Sequence, residues 1–295
     1  MCGIAGFDKE DISTIPPHRL HKLLTALEER GHDAAGFSYK PHDESISVIK
    51  GKYTASKFLK IRKVKKELAK AGKAKWGLFH TRAATNGTPS NNKNNHPIWS
   101  DKGMIIHNGI VWSTEKVKTQ GETDSEKLLV LIDKLGLEEA IKRISGWLAF
   151  AYVSLDEPDV FYLYHCGAPI VWAQENGIFF FASTAEILKK AFPVKAVQAL
   201  PANCLYKVKN GKISLVSLVH PKASFALKYP YVYTMSGISD GNWSWARKDE
   251  DYSGTKKKER KIVRRKERQE KNYLMTAYRE DLIYGSSGKP IALLE

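Results

Sequence analysis

The chain opens Met1-Cys2-Gly3-Ile4-Ala5-Gly6-Phe7, so a cysteine directly follows the initiator methionine at the head of an apolar run. A small second residue normally allows the methionine to be removed, and we therefore expect a mature chain that begins with Cys2. Such a residue carries a thiol nucleophile and an α-amine of pKa about 7.7–8.0 that can act as its base. Position alone leaves the alternative of an ordinary cysteine in a buried first strand.

Five short motifs follow Cys2 along the chain. They are Arg30-Gly31-His32-Asp33-Ala34-Ala35-Gly36, His80-Thr81-Arg82-Ala83-Ala84-Thr85-Asn86-Gly87, Asn95-His96-Pro97, His107-Asn108-Gly109 and Gly121-Glu122-Thr123-Asp124-Ser125-Glu126. With these motifs the sequence resembles the class II glutamine amidotransferases, whose N-terminal-nucleophile glutaminase domain occurs in enzymes such as glucosamine-6-phosphate synthase. One such motif is weak evidence, whereas an ordered set behind Cys2 is strong. The resemblance extends from residue 2 to about residue 219.

The resemblance implies that Cys2 attacks the side-chain amide of L-glutamine and forms a γ-glutamyl thioester, which water hydrolyses to glutamate. No cofactor is implied. It also implies an oxyanion hole made by the Asn108 side-chain amide and the Gly109 N–H, and each such donor is typically worth roughly 10²–10³ in rate. Arg30 and Asp33 are expected to order the loop around Cys2 rather than to react.

Recognition of a free amino acid needs a cation for its carboxylate and an anion for its ammonium. Arg82 is expected to bind the α-carboxylate, because its planar fork matches a carboxylate bidentately. Asp124 is expected to bind the α-ammonium, and Thr85 and His107 to complete the substrate site. Taken singly, Arg82 could form a surface ion pair and Asp124 could favour a helix N-terminus. Likewise, the Asn-Gly pair could form a turn between strands.

Three histidines in these motifs, His80, His96 and His107, invite a metal-site interpretation. We reject it, because no carboxylate or cysteine lies at ligand spacing from them and the implied reaction needs no metal. They are expected to be polar residues buried in the site or bordering it.

Three positions depart from the family pattern. In the sugar-phosphate-aminating branch a tryptophan usually follows the arginine and a histidine follows the threonine, where this chain has Ala83 and Asn86. Ala34 also replaces a common serine. Other branches vary at the first two positions, so glutamine hydrolysis is still expected, while membership of that branch and the exit route of ammonia are left open.

Apolar patterning predicts helices and strands in alternation. Leucines at i, i+3, i+4 and i+7 predict a helix over 18–29, and the Thr123/Glu126 capping box predicts another through Leu135. Short buried strands at 77–80 and 104–107 are expected to deliver Arg82 and Asn108 at their ends or in the following loops. Further strands are predicted at 147–155, 160–165, 169–173 and 178–182, a helix at 184–191, and a hairpin over 202–219 around Asn210-Gly211. With the resemblance, this predicts an α+β fold, a four-layer αββα sandwich of two mainly antiparallel sheets.

The net charge of +15 is concentrated in two segments. Residues 51–75 contain 10 Lys/Arg against one acid, and residues 255–271 contain 10 against three. Each could be a solvated helix face, or could bind a nucleic acid or an acidic partner.

The division into domains follows from where the motifs end. We expect a glutaminase domain over 2–220 and a basic extension over 221–295 that is partly helical or flexible. No acceptor domain is recognisable in the extension. The ammonia acceptor is therefore expected to belong to a separate synthase or ligase protein.

Composition argues against a membrane protein. Hydrophobic residues make up 42% of the chain, but no apolar run approaches the 18 residues of a membrane span. No signal peptide is expected at the N-terminus. The three cysteines, Cys2, Cys166 and Cys204, are odd in number and widely spaced, which favours free thiols in a reducing compartment, the cytoplasm.

Two alternatives stay open at this point. One is an N-terminal-nucleophile hydrolase that acts on another amide. Such a substrate would not need both Arg82 and Asp124 as partners for a carboxylate and an ammonium. The other is a nucleic-acid-associated or assembly protein on a glutaminase scaffold that no longer hydrolyses glutamine, which the two basic segments motivate.

Overall fold

The computed structural model describes residues 1–11, 13–113, 115–224 and 284–285. The strands are β1 Gly3–Lys9, β2 Ala34–Lys40, β3 Ser47–Gly51, β4 Trp76–Arg82, β5 Ile98–Trp99, β6 Gly103–Ser113, β7 Ile144–Ser154, β8 Phe161–Cys166, β9 Val171–Glu175, β10 Ile178–Ala182, β11 Gln198–Ala199, β12 Cys204–Lys209, β13 Lys212–Leu218, β14 Ala223–Ser224 and β15 Tyr284–Gly285. The α-helices are α1 Pro17–Leu27, α2 Ala55–Phe58, α3 Arg62–Ala71, α4 Asp124–Leu135, α5 Leu137–Lys142 and α6 Ala185–Ala191.

The strands form two sheets. The first has the order β11-β9-β10-β1-β4-β2-β3-β15, and the second has the order β13-β12-β8-β7-β6-β5, with β14 beside β7. Neighbouring strands pair antiparallel except at β14, which runs parallel to β7. β1, which follows Cys2 directly, lies in the middle of the first sheet between β10 and β4, so the start of the chain is enclosed on both sides.

Three separate apolar cores define the layers. One packs the first sheet against α1, α2, α3 and α6. A second lies between the two sheets, and a third packs the second sheet against α4 and α5. Two sheets face to face with helices on both outer sides are the four-layer sandwich that was predicted.

α1 illustrates why these residues form this layer. Pro17 stands at its first turn, where a missing N–H costs nothing. Its leucines Leu20, Leu23, Leu24 and Leu27 are all fully buried against the first sheet. Burying each such side chain contributes roughly 1.5–3 kcal/mol, so the periodic face, more than the weak propensity of its His and Thr residues, stabilises the helix.

Most predicted elements are confirmed. The helix predicted over 18–29 is α1 followed by a 3₁₀ turn at Glu28–Arg30, and the capped helix is α4 with Thr123 as N-cap. The hairpin is β12 and β13, and Asn210 and Gly211 both have positive φ, as a type I′ turn requires.

The predicted end of the strand before Asn108 is wrong. Asn108 and Gly109 lie in the middle of β6, which continues to Ser113 and pairs with β7 throughout. The Asn-Gly pair is therefore not a turn between strands. Glycine is a turn signal in sequence patterns, and here a long partner strand overrides that signal.

The first basic segment forms α2 and α3. Val64, Leu68 and Ala71 bury one side of α3, while its Lys and Arg side chains are exposed. This agrees with a solvated helix face. The second basic segment, 255–271, lies outside the described residues, as does the extension 221–295 apart from 221–224 and 284–285. In the part of the chain that the structure describes, no helix is long and apolar enough to cross a membrane.

Candidate active site

Strand alternation brings the motif side chains to one place. Successive side chains of a strand point to opposite faces. The apolar residues that β1, β4 and β6 contribute to the core between the sheets are all even-numbered: Ile4, Trp76, Leu78, Met104 and Ile106. The same alternation directs Arg82 of β4 and Asn108 of β6 into that layer from opposite sheets.

A cleft of about 280 Å³, open mouth included, lies at this end of the sandwich. It is lined by Cys2, Arg82, Ala83, Thr85, Asn86, His96, His107, Gly109, Thr123, Asp124 and Ser125. Of the residues predicted for catalysis or substrate binding, Asn108 alone is not in this lining. The structure therefore brings together residues that are up to 122 positions apart in the sequence, from Cys2 to Asp124.

The Cys2 thiol is half-buried and lies against the backbone of Ala83. Its Sγ donates to the Ala83 carbonyl at 3.6 Å and accepts from the Ala83 N–H at 3.4 Å. Burial raises the pKa of the Cys2 thiol, and the Ala83 N–H and the positive charge of Arg82 oppose that rise. The thiol is therefore protonated at rest and needs a base before it can attack.

Arg30 and Asp33 hydrogen-bond to backbone groups around Cys2 and at the end of β4. The Arg30 Nε donates to the Cys2 carbonyl at 2.9 Å. The Asp33 carboxylate accepts from the Ala84 N–H at 2.7 Å, and the Asp33 N–H donates to the Arg82 carbonyl at 2.9 Å. Both residues hold backbone, and neither lines the cleft.

Gly109 has a backbone that other residues cannot adopt without strain. Its φ is +128°, and a Cβ there would lie 2.0 Å from the Trp147 carbonyl oxygen. Asn108 is fully buried, and both polar atoms of its side-chain amide have no hydrogen-bond partner among the described residues. A buried amide normally finds partners, so the side chain of Asn108 has donors and an acceptor to offer to a bound molecule.

Arg82 ends β4 with only 3% of its surface exposed. Its Nη1 donates to Asn95 Oδ1 at 3.0 Å, and its Nη2 donates to the carbonyls of Asn86 and Gly87, the latter at 2.8 Å. Both ends of the guanidinium fork are therefore engaged. Nη2 can donate to a carboxylate only after the Asn86–Gly87 turn releases it, whereas Nη1 keeps one N–H besides the one given to Asn95.

Asp124 is held at the first turn of α4. The Thr123 hydroxyl accepts from the Glu126 N–H at 3.2 Å, which is the predicted N-cap. The Asp124 carboxylate accepts from the Val111 N–H at 2.8 Å and from the Ser125 N–H at 3.0 Å. The helix dipole favours the negative charge at this position, and the backbone contacts fix the carboxylate at the edge of the cleft.

The three motif histidines are buried and neutral. His80 Nε2 donates to the His107 carbonyl at 2.9 Å, and His107 Nδ1 lies 2.8 Å from the Ser125 hydroxyl. Burial lowers the pKa of His80 to about 3 and holds the pKa values of His96 and His107 below their usual range. Within the described residues, no group of three or more His, Cys, Asp or Glu side chains could hold a metal ion.

Sequence patterns did not point to Lys50, which lies in β3. It is 2% exposed, and its Nζ donates to the carbonyls of Asn95 at 2.6 Å and Pro97 at 2.9 Å. It also lies 4.2 Å from the centroid of the Trp99 ring. Lys50 thus fixes the Asn95–Pro97 segment that reaches Arg82, and only the pairing of β2 with β3 brings it there.

The hydrogen-bonding roles of Ser125 and Asn95 were also not predicted. Both belong to motifs that the sequence singled out, but their partners, His107 and Arg82, belong to other motifs. The sequence indicated these two residues only through their positions within the motifs. The contacts themselves depend on the packing of α4 and of the Asn95 loop.

Comparison with known proteins gives homologues for most of the described region. No family model matches the chain. The glutamine–fructose-6-phosphate aminotransferase (isomerizing) of Chlorobaculum tepidum is 34% identical over 208 residues, which are 63% of this chain and 32% of that protein. The enzyme of the same name from Aquifex aeolicus is 34% identical over 202 residues, 62% of this chain and 32% of that protein. The chain thus spans about a third of the length of these curated relatives.

Solved structures show the same fold. The glutamine phosphoribosylpyrophosphate amidotransferase from B. subtilis superposes with a TM-score of 0.57 at 17% identity, over 74% of this chain and 49% of that chain. A glutamine aminotransferase class-II domain protein from Silicibacter pomeroyi gives a TM-score of 0.50 at 15% identity, over 74% of this chain and 99% of that chain. The resemblance and the fold expected from the motifs are both confirmed.

Proposed function

We propose, from its homology to the class II glutamine amidotransferases, that this chain hydrolyses L-glutamine to glutamate and ammonia at the cleft. One observation carries the proposal: a thiol, a cation and an anion, those of Cys2, Arg82 and Asp124, line the same small cleft. Glutamine presents a carboxamide, a carboxylate and an ammonium, and these three groups match the three side chains.

In the proposed reaction the thiol of Cys2 attacks the carboxamide carbon. The α-amine of the mature N-terminus takes the thiol proton and delivers it to the leaving nitrogen, so that ammonia departs and a thioester forms. The Gly109 N–H and the Asn108 amide stabilise the negative oxygen that develops. Water then attacks the thioester and releases glutamate and the thiol.

The other residues of the cleft bind the amino-acid end of the substrate. Arg82 takes the α-carboxylate and Asp124 the α-ammonium. Thr85 and His107 complete this end of the site. The fixed carboxylate of Asp124 supports this assignment, because a preformed partner loses little entropy on binding.

The ammonia passes to an acceptor. The relatives are named as aminotransferases, which supports transfer of the nitrogen rather than its loss to solvent. We further propose that the acceptor-activating synthase belongs to a separate protein and that both act in the cytoplasm. The free thiols of Cys2, Cys166 and Cys204 support a reducing compartment.

The two alternatives are not favoured by the homologues. An enzyme for another amide does not need both Arg82 and Asp124 at its cleft. A nucleic-acid role through 255–271 concerns residues outside the described part of the chain, and no homologue found supports it.

Purified protein tests the proposal directly. Mass analysis should show an N-terminal Cys2, and glutamine should yield glutamate and ammonia in equal amounts. Cys2→Ala should yield neither. N-acetylglutamine, which lacks the ammonium, should be hydrolysed much more slowly than glutamine. The absence of glutamate from protein that begins with Cys2 would overturn the proposal, and equal rates with N-acetylglutamine would favour the other amide.

A further inference from the structure

Three buried histidines form a cluster beside the cleft, which we call the imidazole compartment: His80, His96 and His107. The buried Asn108 follows His107 in β6. The rings of His80 and His96 stack with centroids 4.1 Å apart, and those of His96 and His107 are 6.5 Å apart. His80 also donates to the His107 carbonyl. All four side chains are at most 4% exposed, and His96 and His107 form part of the cleft wall.

The compartment holds more hydrogen-bonding capacity than its own residues use. Among the described residues no partner exists for His80 Nδ1, His107 Nε2, either ring nitrogen of His96 or either polar atom of the Asn108 amide. Buried polar atoms in proteins are almost always hydrogen-bonded to protein or to a small molecule. Several such atoms in one cluster of packed rings, two of which line the cleft, point to a small polar ligand.

The protonation states define what that ligand offers. His80 Nε2 must carry a proton, because it faces a carbonyl oxygen, and its Nδ1 is therefore an acceptor. A neutral His96 presents one donor and one acceptor. A small molecule with several N–H or O–H groups and one lone pair satisfies this set.

The surroundings of His80 and His96 disfavour a cation. Burial is the main cause that lowers the pKa values of both histidines, and the positive charge of Arg82 adds to it. At His107 the negative charge of Asp124 raises the pKa, against the effect of burial. Burial next to Arg82, which keeps His80 and His96 neutral, likewise disfavours ammonium and favours its uncharged conjugate base.

We propose that the imidazole compartment binds neutral ammonia next to the Cys2 thioester and retains it there after the carboxamide is cleaved. This inference depends on the proposed glutaminase function and adds a product site to it. Retained ammonia can also re-add to the thioester: its nitrogen bonds to the acyl carbon, the carbon–sulfur bond breaks, and one ammonia proton ends on the Cys2 sulfur. The product of that step is glutamine.

Nitrogen exchange measures this site in the unaltered protein. The protein is incubated with glutamine and ¹⁵N-labelled ammonium chloride, and mass spectrometry gives the ratio of amide-labelled glutamine to glutamate. A site that holds ammonia apart from the hydrolytic water predicts that the ratio saturates as ammonium rises, because water still reaches the thioester when the site is full. The total ammonium concentration that gives half-saturation should fall about tenfold from pH 7 to pH 8, because neutral ammonia is the ligand. A ratio that rises linearly without saturation would overturn the inference.

Variants of His96 assign the site to the compartment. His96→Leu removes two nitrogens and should lower the exchange ratio about tenfold, since each hydrogen bond contributes severalfold to binding. His96→Gln keeps a donor and an acceptor and should retain most of the exchange. His21→Leu, at an exposed position on α1, is the matched control. An unchanged ratio in His96→Leu would contradict the proposal.

The ratio also separates the possible failures. Exchange and hydrolysis share one thioester, so a variant that is merely less active or partly unfolded keeps its ratio. If the compartment holds only water, His96→Leu slows hydrolysis and the ratio does not fall, which overturns the inference. If the unaltered protein makes no glutamate at all, the proposed function itself is wrong.

Discussion

Three charged residues are buried singly in the first sheet of this protein. Arg82, Lys50 and Asp8 are each almost fully buried, and for none of them does the structure give a salt bridge within the described residues. Arg82 and Lys50 instead donate to side-chain and backbone oxygens around Asn95. An unpaired buried charge is costly, so these residues hold their loops at the expense of stability.

Replacement of Arg82 by lysine tests its proposed binding role. Arg82→Lys keeps the charge and loses the fork, so we expect the KM for glutamine to rise about 10- to 100-fold, the range for hydrogen bonds to a charged group. Steady-state kinetics of glutamate release measure this. Arg62→Lys, on the exposed surface of α3, is the control. A loss confined to kcat would contradict the assignment of Arg82 to the ground-state carboxylate.

Asp8 predicts a pH-dependent stability. It is fully buried in β1, where one carboxylate oxygen accepts from the Gly211 N–H and the other has no partner among the described residues. Burial raises the pKa of Asp8 to about 7. The folded state therefore binds more protons than the unfolded state between about pH 4 and 7, so stability is lost as pH rises through this window.

Asp8→Asn removes this penalty. At pH 8 we expect the free energy of unfolding of the variant to exceed that of the unaltered protein by up to about 4 kcal/mol, at about 1.36 kcal/mol per pKa unit. At pH 4 we expect the two free energies to differ little. Urea denaturation at both pH values measures the change. Asp43→Asn, at an exposed position, should do nothing. An equal effect of Asp8→Asn at both pH values would contradict the explanation.

At the scale of elements, the close approach of β6 and β7 builds the wall of the cleft. Gly109 and Gly146 both have positive φ, and a Cβ on either would lie within about 2.1 Å of a carbonyl oxygen on the opposite strand. Two glycines therefore allow the strands to meet where a side chain would separate them. The position of the Gly109 N–H depends on this contact.

Gly109→Ala tests the dependence. The added methyl group must push Trp147 away, so we expect kcat to fall roughly 10²–10³-fold through loss of a positioned donor, with a lower melting temperature. Gly136→Ala is the matched control, because Gly136 also has positive φ but has open space around its Cβ. With φ 82° and ψ 163°, a conformation that essentially only glycine adopts, this position should cost about 1–3 kcal/mol in stability when changed to Ala and leave kcat unchanged. Equal kcat values in both variants would contradict the proposed role of Gly109.

At the scale of the whole molecule, the fold buries four histidines in neutral form. Burial lowers the pKa values of His80, His96, His107 and His165. In the unfolded chain these groups protonate near pH 6.5. Below that pH the unfolded state binds more protons, and stability is lost as pH falls from about 6.5 toward the folded pKa values, of which that of His80 is about 3.

The described domain should therefore be acid-labile. His80, with a folded pKa of about 3, contributes about 1.36 kcal/mol per pH unit below pH 6. The other three histidines act in the same direction, so together the four exceed the opposite effect of the single Asp8. Urea denaturation should give a free energy of unfolding that falls steeply from pH 6.5 to 5. His80→Gln should reduce the slope by about one such increment, whereas His42→Gln, at an exposed position, should not. A free energy that is constant over this range would contradict the prediction.

Much of the fold was predictable because its signals are local. The leucine period of α1, the N-cap Thr123 and the Asn210-Gly211 turn each depend on residues within one or two turns of chain. The continuation of β6 past Asn108 was not predictable, since it depends on β7, which is more than 30 residues away in the sequence. Local glycine signals and long-range pairing compete at that point, and pairing wins.

The sequence by itself determined the chemical groups of this protein and their order: a cysteine at the start, then the arginine, the Asn-Gly pair and the aspartate, together with the helices that carry or flank them. Only the tertiary structure decided which groups share a cleft. It also decided that Arg82 donates to the Asn86–Gly87 turn and that Lys50 fixes the Asn95–Pro97 segment. The physical reason is that residue identity and helical period belong to the chain, whereas burial, electrostatic field and hydrogen-bond partners arise only when two distant sheets pack face to face.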